Sequence, residues 1–173
     1  TSTIPSEGKT LISTLLCRTL STMGQKILLI DADMRRPNVH KVLKIDNLYG
    51  LSNILTTDIN SWKKSINKIK LDNDNEFDVI TAGVIPPDAP RLLGSQRFED
   101  LLSEINSSEK YDLIVFDNTP LLSLSDPLLV ADKMDGTLLV VSLNRVNKDA
   151  VKDSYFQLTS RKKQVTLLGI VSN

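Results

Sequence analysis

The sequence predicts an open α/β fold in which helices cover both faces of a mostly parallel sheet. Short runs rich in Ile, Leu and Val recur along the chain, and they are apolar on both faces, as buried parallel strands are. Amphipathic segments with helical periodicity separate these runs, and such alternation gives parallel strands joined by right-handed crossovers. A length of 173 residues suits one domain with its own core. We therefore expect a single domain over residues 1–173.

The strands and helices follow from this pattern in chain order. The apolar runs predict strands at Lys26–Ile30, Phe77–Thr81, Asp112–Phe116, Thr137–Val141 and Val165–Val171, of which the second is the weakest. The helical periodicity predicts helices at Lys9–Met23, Arg91–Asn106, Asp126–Asp132 and Lys148–Arg161, with shorter turns at Val39–Leu43, Leu51–Leu55 and Ser61–Ile66. Gly24 is expected to end the first helix, because glycine readily adopts the left-handed conformation found there.

Composition excludes several classes of protein. Lys plus Arg and Asp plus Glu are equal at 21 each, so no overall positive field favours nucleic acid, and we expect no nucleic-acid partner. A single cysteine, Cys17, cannot form an internal disulfide framework, and its apolar helical setting predicts a buried thiol. No segment approaches the roughly 20 apolar residues that span a bilayer, so we expect this segment to be soluble.

The first ten residues, TSTIPSEGKT, contain part of a phosphate-binding motif. The pattern G-x-x-x-x-G-K-[ST] is matched by Gly8, Lys9 and Thr10, whereas Thr3 stands where its first glycine is usual. The triplet alone is weak evidence, but an amphipathic helix follows it, and N–H groups at the start of a helix bind anions. Lys9 would then reach the terminal phosphates, and the Thr10 hydroxyl would bind Mg²⁺.

Carboxylates follow two of the predicted strands. Asp31 and Asp33 come after KILLI, and Asp117 comes directly after DLIVF. Any one of them could simply end its strand, and for a single residue that alternative carries as much weight as a functional role. Parallel sheets bind ligands at the carboxyl ends of their strands. The three carboxylates together, with the GKT helix start, therefore favour a site for Mg²⁺–ATP.

Together these residues resemble the bacterial tyrosine kinase (BY-kinase) family, the cytoplasmic partners of capsular and exopolysaccharide chain-length regulators. The Walker A, Walker A′ and Walker B motifs of that family are matched by PSEGKT, LLIDADMRRP and IVFDNTP. The segment ITAGVIPPDAPRLLGS is also similar in order and spacing. The resemblance implies a P-loop NTPase fold of the MinD/ParA-like branch. It also implies a protein-tyrosine autokinase that uses ATP and Mg²⁺ and regulates polysaccharide polymerisation and export.

The resemblance implies catalytic and metal-binding roles for particular residues. Lys9, Asp31, Asp33 and Asp117 would be catalytic, with Asp31 orienting or deprotonating the tyrosine hydroxyl and Asp33 supporting it. Thr10 would bind Mg²⁺ directly, Asp117 would bind it through water, and Asp31 would complete the metal site.

The resemblance also implies a set of nucleotide-binding residues. Arg35 and its neighbour Arg36 are either phosphate clamps or ion-pair partners of a neighbouring subunit, and these alternatives are evenly matched. Asn173 either hydrogen-bonds the adenine edge, which we favour, or ends a strand. The full set of binding residues is Pro5, Ser6, Glu7, Gly8, Lys9, Thr10, Leu11, Arg35 and Asn173.

By the same resemblance the chain is expected to be a segment of a longer protein. The strand that should lead into the phosphate loop and the tyrosine-rich tail that the family phosphorylates are missing from this sequence, and Tyr49, Tyr111 and Tyr155 are scattered. The expected partners are other copies of the chain, which phosphorylate one another. A transmembrane chain-length regulator, fused or separate, would hold the protein at the cytoplasmic face of the bacterial membrane.

Two other functions share these features. A MinD/ParA-like ATPase would carry a second lysine near the start of the loop, but Ile4 stands at that position and no lysine precedes Lys9. A non-catalytic scaffold whose assembly is controlled by ATP would use the same carboxylates. The sequence therefore disfavours the first alternative and leaves the second open.

Overall fold

The computed structural model describes residues 1–122, 124–143, 145–160 and 165–173. These residues form two compact units. Thr1–Lys9 and Asn118–Asn173 make up the first unit, and Thr10–Asp117 make up the second. Among the helices of the described ranges, none is long and apolar enough to cross a bilayer.

The second unit contains a four-stranded sheet. Its strands are β1 (Ile27–Asp31), β2 (Asn67–Lys70), β3 (Glu76–Ile80) and β4 (Leu113–Asp117), in the order β2-β3-β1-β4. β1 is parallel to both of its neighbours, whereas β2 pairs with β3 in the antiparallel direction. The helices of this part of the chain are α1 (Lys9–Thr22), α2 (Val39–Leu43), α3 (Leu51–Thr56), α4 (Ala89–Leu93) and α5 (Gln96–Ser107), with 3-10 helices at Ile59–Ser65 and Asp72–Asp74.

The core of the second unit lies around β1, which is buried at every position. Cys17 is fully buried, which confirms the predicted buried thiol. This burial and, to a smaller extent, the Asp117 carboxylate raise the pKa of the thiol to about 12. β1 and β4 are parallel and in register, which places Asp31 opposite Asp117 at the carboxyl edge of the sheet. The apolar core cluster consists of Cys17, Ile27, Leu29, Val39, Phe77 and Val79.

The first unit contains two parallel strands, β5 (Thr137–Val141) and β6 (Leu167–Ser172), and two helices, α6 (Asp126–Ala131) and α7 (Lys148–Thr159). Ser2 forms a parallel bridge with Val140, whose N–H donates to the Thr1 carbonyl at 2.9 Å. The N–H of Leu121 donates to the Ser2 carbonyl at 2.8 Å. The residues that lead into the phosphate loop therefore run alongside β5. The core of this unit consists of Leu121, Ala131, Leu139, Val141, Leu158 and Val165.

All five predicted strands are present, each within two residues of its predicted bounds. The sequence did not reveal β2, because Asn67–Lys70 is short and its side chains alternate between half-buried and exposed, so no apolar run marks it. Gly24 has φ of 89° after the last residue of α1, as predicted for a helix end.

The predicted single helix at Arg91–Asn106 is wrong. The chain instead forms α4 and α5, which are separated by Gly94 and Ser95. The Ser95 side chain accepts a hydrogen bond from the Phe98 N–H and so begins a new helix at Gln96. The predicted end of α7 at Arg161 lies outside the described residues, and α7 ends at Thr159 within them.

Candidate functional site

The phosphate loop of the first unit has an unusual backbone. Ser6 and Gly8 both have φ in the left-handed region, at 65° and 84°. A residue other than glycine adopts this region at a cost of roughly 1–3 kcal/mol, and such strain persists only where the surroundings impose it. Alternation of left- and right-handed residues turns successive N–H groups towards one concave side, where anions bind. The backbone of Pro5–Lys9 therefore has the form expected of an anion-binding loop.

The Glu7 side chain, which belongs to this loop, is buried. One carboxylate oxygen, Oε2, accepts from the Ile4 N–H at 2.7 Å, and the other, Oε1, accepts from the Ser142 N–H at 2.9 Å. The first bond closes the turn that contains Pro5 and Ser6, and the second joins the loop to the end of β5. The side chain of this predicted nucleotide-binding residue thus bonds to the protein's own backbone.

Two further side chains hold carbonyl groups of the loop. Arg145 Nη1 donates to the Ser6 carbonyl at 3.1 Å, and Asn173 Nδ2 donates to the Glu7 carbonyl at 3.1 Å. A Cβ at Gly8 would displace the Asn173 carboxamide, and the φ of 84° independently favours glycine at this position. Arg145 was not predicted as a site residue, because an arginine that follows a strand in a polar segment matches no motif.

The second unit brings Thr10 and Asp117 together, as the sequence predicted. Both are buried, and the Thr10 hydroxyl donates to Asp117 Oδ2 at 2.6 Å. Ser13, which was not among the predicted site residues, donates from its hydroxyl to Asp117 Oδ1 at 3.3 Å. Its position three residues after Thr10 on α1 places both hydroxyls on one face of the helix, and this spacing was the available signal. Both oxygens of Asp117 thus accept hydroxyl groups from the first turns of α1.

Asp31 is fully buried at the end of β1. Its Oδ1 accepts from the Asp33 N–H at 3.1 Å, and its Oδ2 accepts from the N–H groups of Asn38 and Val39 at 3.2 and 3.1 Å. The Asp33 carboxylate accepts from the Arg36 N–H at 2.9 Å. Backbone donors therefore fix the position of Asp31, and Asp33 orders the turn that follows β1.

The remaining predicted site residues differ in their exposure. Pro5, Ser6, Leu11, Arg35 and Asn173 are exposed, whereas Gly8 and Lys9 are half-buried. The predictions that Arg35 contacts phosphate and that Asn173 contacts adenine stay predictions. Arg36 is also exposed.

The oxygen groups around Asp117 fit the chemistry of Mg²⁺. This ion prefers oxygen ligands, keeps several waters, and is held in nucleotide sites by one or two carboxylates together with the phosphates of the substrate. Thr10 supplies a hydroxyl oxygen, while Asp117 and Asp31 supply carboxylates. Within the described ranges, no three His, Cys, Asp or Glu side chains are placed to hold a metal by themselves. The hydroxyl and carboxylate oxygens themselves are of the type that Mg²⁺ prefers.

The chain matches a known sequence family over almost its whole length. The family described as the CobQ/CobB/MinD/ParA nucleotide binding domain matches residues 1–172. This match confirms the predicted P-loop NTPase fold with a mostly parallel sheet, and it places the chain in the MinD/ParA-like branch.

Known tyrosine kinases resemble the chain in both sequence and structure. It is 33% identical over 174 residues to the tyrosine-protein kinase YwqD of Bacillus subtilis. This match covers 100% of the present chain and 70% of YwqD. It is 35% identical over 136 residues to a putative tyrosine-protein kinase in the cps region of Klebsiella pneumoniae, covering 79% of this chain and 18% of that protein.

Among solved structures, the kinase domain of the Escherichia coli tyrosine kinase ETK superposes with a TM-score of 0.89 at 32% identity. That match covers 100% of this chain and 65% of the ETK domain. These named tyrosine kinases favour the interpretation as a kinase over the alternative of a MinD/ParA-like ATPase with the same fold. The chain therefore belongs to the bacterial tyrosine-protein kinases, as its Walker motifs predicted.

Proposed function

We propose that the protein is an ATP-dependent protein-tyrosine autokinase that regulates polymerisation and export of a surface polysaccharide. The observation that carries this proposal lies in the second unit. Asp31 and Asp117 stand opposite each other at the carboxyl ends of β1 and β4, and Asp117 also accepts the Thr10 hydroxyl at 2.6 Å. One carboxylate is thus bonded to the phosphate-binding motif, and the other lies opposite it at the same edge of the sheet.

We assign the nucleotide to the Walker A residues. Backbone N–H groups of Ser6–Thr10 would bind the triphosphate, and the Lys9 ammonium would neutralise its terminal phosphates. Thr10 and Asp117 would hold Mg²⁺, which neutralises negative charge on the phosphates during transfer. Pro5 and Leu11 border the loop, and Arg35 would add positive charge near the transferred group.

We assign Asp31 to the acceptor. Phosphoryl transfer depends mostly on positioning and charge neutralisation, so the protein has little covalent work to do. A tyrosine hydroxyl has a pKa of about 10 and needs a base as its oxygen attacks the γ-phosphorus. The Asp31 carboxylate would accept that proton, the γ-phosphoryl group would join the tyrosine oxygen, and ADP would leave. Asp33 supports Asp31 through its N–H bond to Oδ1.

We assign the acceptor tyrosine to another copy of the protein. The three tyrosines of this chain are scattered along the sequence, and we assign none of them as the acceptor for the kinase site of the same molecule. The name of the Klebsiella pneumoniae relative refers to a cps region, which supports a polysaccharide context. A transmembrane chain-length regulator, fused or separate, would be the second partner and would place the kinase at the cytoplasmic face of the membrane.

Phosphotyrosine formation in the full-length protein tests this proposal. With Mg²⁺–ATP, we expect phosphotyrosine per molecule to rise with protein concentration, because transfer between copies requires their encounter. Immunoblotting across a dilution series measures it. Mg²⁺–ATP binding without any phosphotyrosine would identify an assembly scaffold instead. We expect residues Thr1–Asn173 alone to give no phosphotyrosine.

A further inference from the structure

Hydrogen bonds to both of its central carbonyl groups hold the phosphate loop in one conformation. The Ser6 carbonyl accepts from Arg145, and the Glu7 carbonyl accepts from Asn173. Rotation of either peptide group would turn its carbonyl oxygen towards the side that binds anions and would remove an N–H donor from it. These bonds oppose that rotation.

We propose that Glu7 and Arg145 are positioning residues that fix the phosphate loop in its anion-binding form before nucleotide arrives. This inference rests on the proposed binding of ATP by the loop. It assigns Glu7 to the loop's own structure, although the residue lies within the Walker A motif, and it adds Arg145, which lies 139 residues after Ser6 in the chain.

Glu7 holds the loop through its buried side chain. A buried carboxylate without hydrogen bonds would be strongly disfavoured, and here each oxygen accepts a backbone N–H. The bond to the Ile4 N–H at 2.7 Å bridges Pro5 and Ser6, and the bond to Ser142 at 2.9 Å fixes the loop to the end of β5. Since backbone groups engage both oxygens, the side chain orders the loop and is not needed as a ligand.

Arg145 acts from the outside of the loop. Its guanidinium is exposed and donates to the carbonyl of the strained residue, Ser6, whose φ is 65°. A hydrogen bond from a charged donor is stronger than a neutral one, so it helps to hold Ser6 in a conformation that serine seldom adopts. A loop ordered in advance loses less conformational freedom on binding, and its dipoles already point at the phosphates.

The test compares phosphate binding by variants of the full-length protein. Dissociation constants for Mg²⁺–ATP and for inorganic triphosphate with Mg²⁺ are measured by calorimetry. We expect Glu7→Gln to weaken both about tenfold, because the amide cannot accept both N–H groups, and Arg145→Gln to weaken both about threefold. Arg145→Lys should recover most of the loss. The surface variants Asp153→Asn and Lys148→Gln, from α7 of the same unit, serve as matched controls and should bind like the wild type.

A kinetic measurement separates positioning from general damage. The KM for ATP should rise in parallel with the dissociation constant, while kcat stays within about twofold, because neither residue is assigned to the reacting atoms. If the wild type binds Mg²⁺–ATP and Arg145→Gln, folded by its melting curve, binds it equally well, the inference is overturned while the proposed function stands. If the wild type itself binds no nucleotide, the proposed function fails, and this inference fails with it.

Discussion

The phosphate loop of the first unit and the carboxylates of the second unit are built in different ways. The loop is partly exposed, its backbone is strained at Ser6, and its shape depends on side chains from distant positions in the chain. Asp31 and Asp117 are buried at the ends of regular strands, and their bonds come from the segments that directly follow β1 and from the start of α1. The first arrangement suits recognition of a charged ligand, and the second suits precise placement of reacting groups.

This comparison predicts that substitutions in the loop mainly change nucleotide affinity. Substitution of Asp31 should mainly change phosphoryl transfer, and substitution of Asp117 should mainly change metal binding.

The largest effect is expected at Lys9. Lys9→Met should abolish Mg²⁺–ATP binding while the fold is kept, because the apolar stem is roughly preserved and only the charge directed at the phosphates is lost. Calorimetric titration measures the binding, and the far-ultraviolet circular dichroism spectrum checks the fold. Unchanged affinity would mean that the GKT segment is not a phosphate site.

Asp31→Asn is expected to lower phosphotyrosine formation roughly 100-fold, as removal of a general base does. Mg²⁺–ATP binding should change by less than about threefold, because a base acts on the acceptor hydroxyl and not on the bound nucleotide. Initial rates by immunoblotting and affinity by calorimetry are measured on the same preparation. Since Asp31 is buried, a melting curve must show that the variant is folded. A loss confined to binding would show that Asp31 is not the base.

Asp117→Asn is expected to weaken nucleotide binding about tenfold in Mg²⁺ and much less in EDTA. The substitution removes a negative charge from the proposed metal site but keeps an oxygen that can accept the Thr10 hydroxyl. Titration of ATP at several Mg²⁺ concentrations measures the effect, and Ser13→Ala, which removes only the longer bond to Asp117, serves as the matched comparison. Equal losses with and without Mg²⁺ would contradict the metal role.

The smallest effect is expected at Asn173. If its carboxamide hydrogen-bonds to the adenine edge, Asn173→Ala should reduce the preference for ATP over GTP by about threefold. Loss of one modest hydrogen bond gives a change of this size. If it only holds the Glu7 carbonyl, affinities for ATP and GTP should fall together. Competition binding with the two nucleotides distinguishes these outcomes, and we expect the first.

The sequence predicted the parts of the molecule that repeat a local pattern. β1 and β4 were visible because both are continuous apolar runs, and Thr10 and Asp117 were visible because they belong to short motifs with a fixed chemistry. β2 was missed because its four residues, NKIK, depend on pairing with β3 and carry no apolar run of their own.

The supports of the phosphate loop could not be predicted in the same way. The bond from Ser142 to Glu7 is donated by a backbone N–H, which nearly every residue type has, so the identity of residue 142 does not indicate it. Arg145 is one of 21 basic residues, and nothing near it in the sequence distinguishes it from a solvated surface charge. Contacts between positions more than 130 residues apart require the fold before they can be seen.

The crowding around Gly8 has a consequence for how the sequence can drift. Replacing Asn173 with a smaller residue would empty the space that a methyl group at position 8 would need. The substitution at position 173 would still leave the φ of residue 8 at 84°, a conformation that residues with a Cβ rarely adopt. The dependence between the two positions therefore runs in one direction. Descendants of this protein can change residue 173 while glycine stays at position 8, but no substitution at position 173 makes position 8 free to vary.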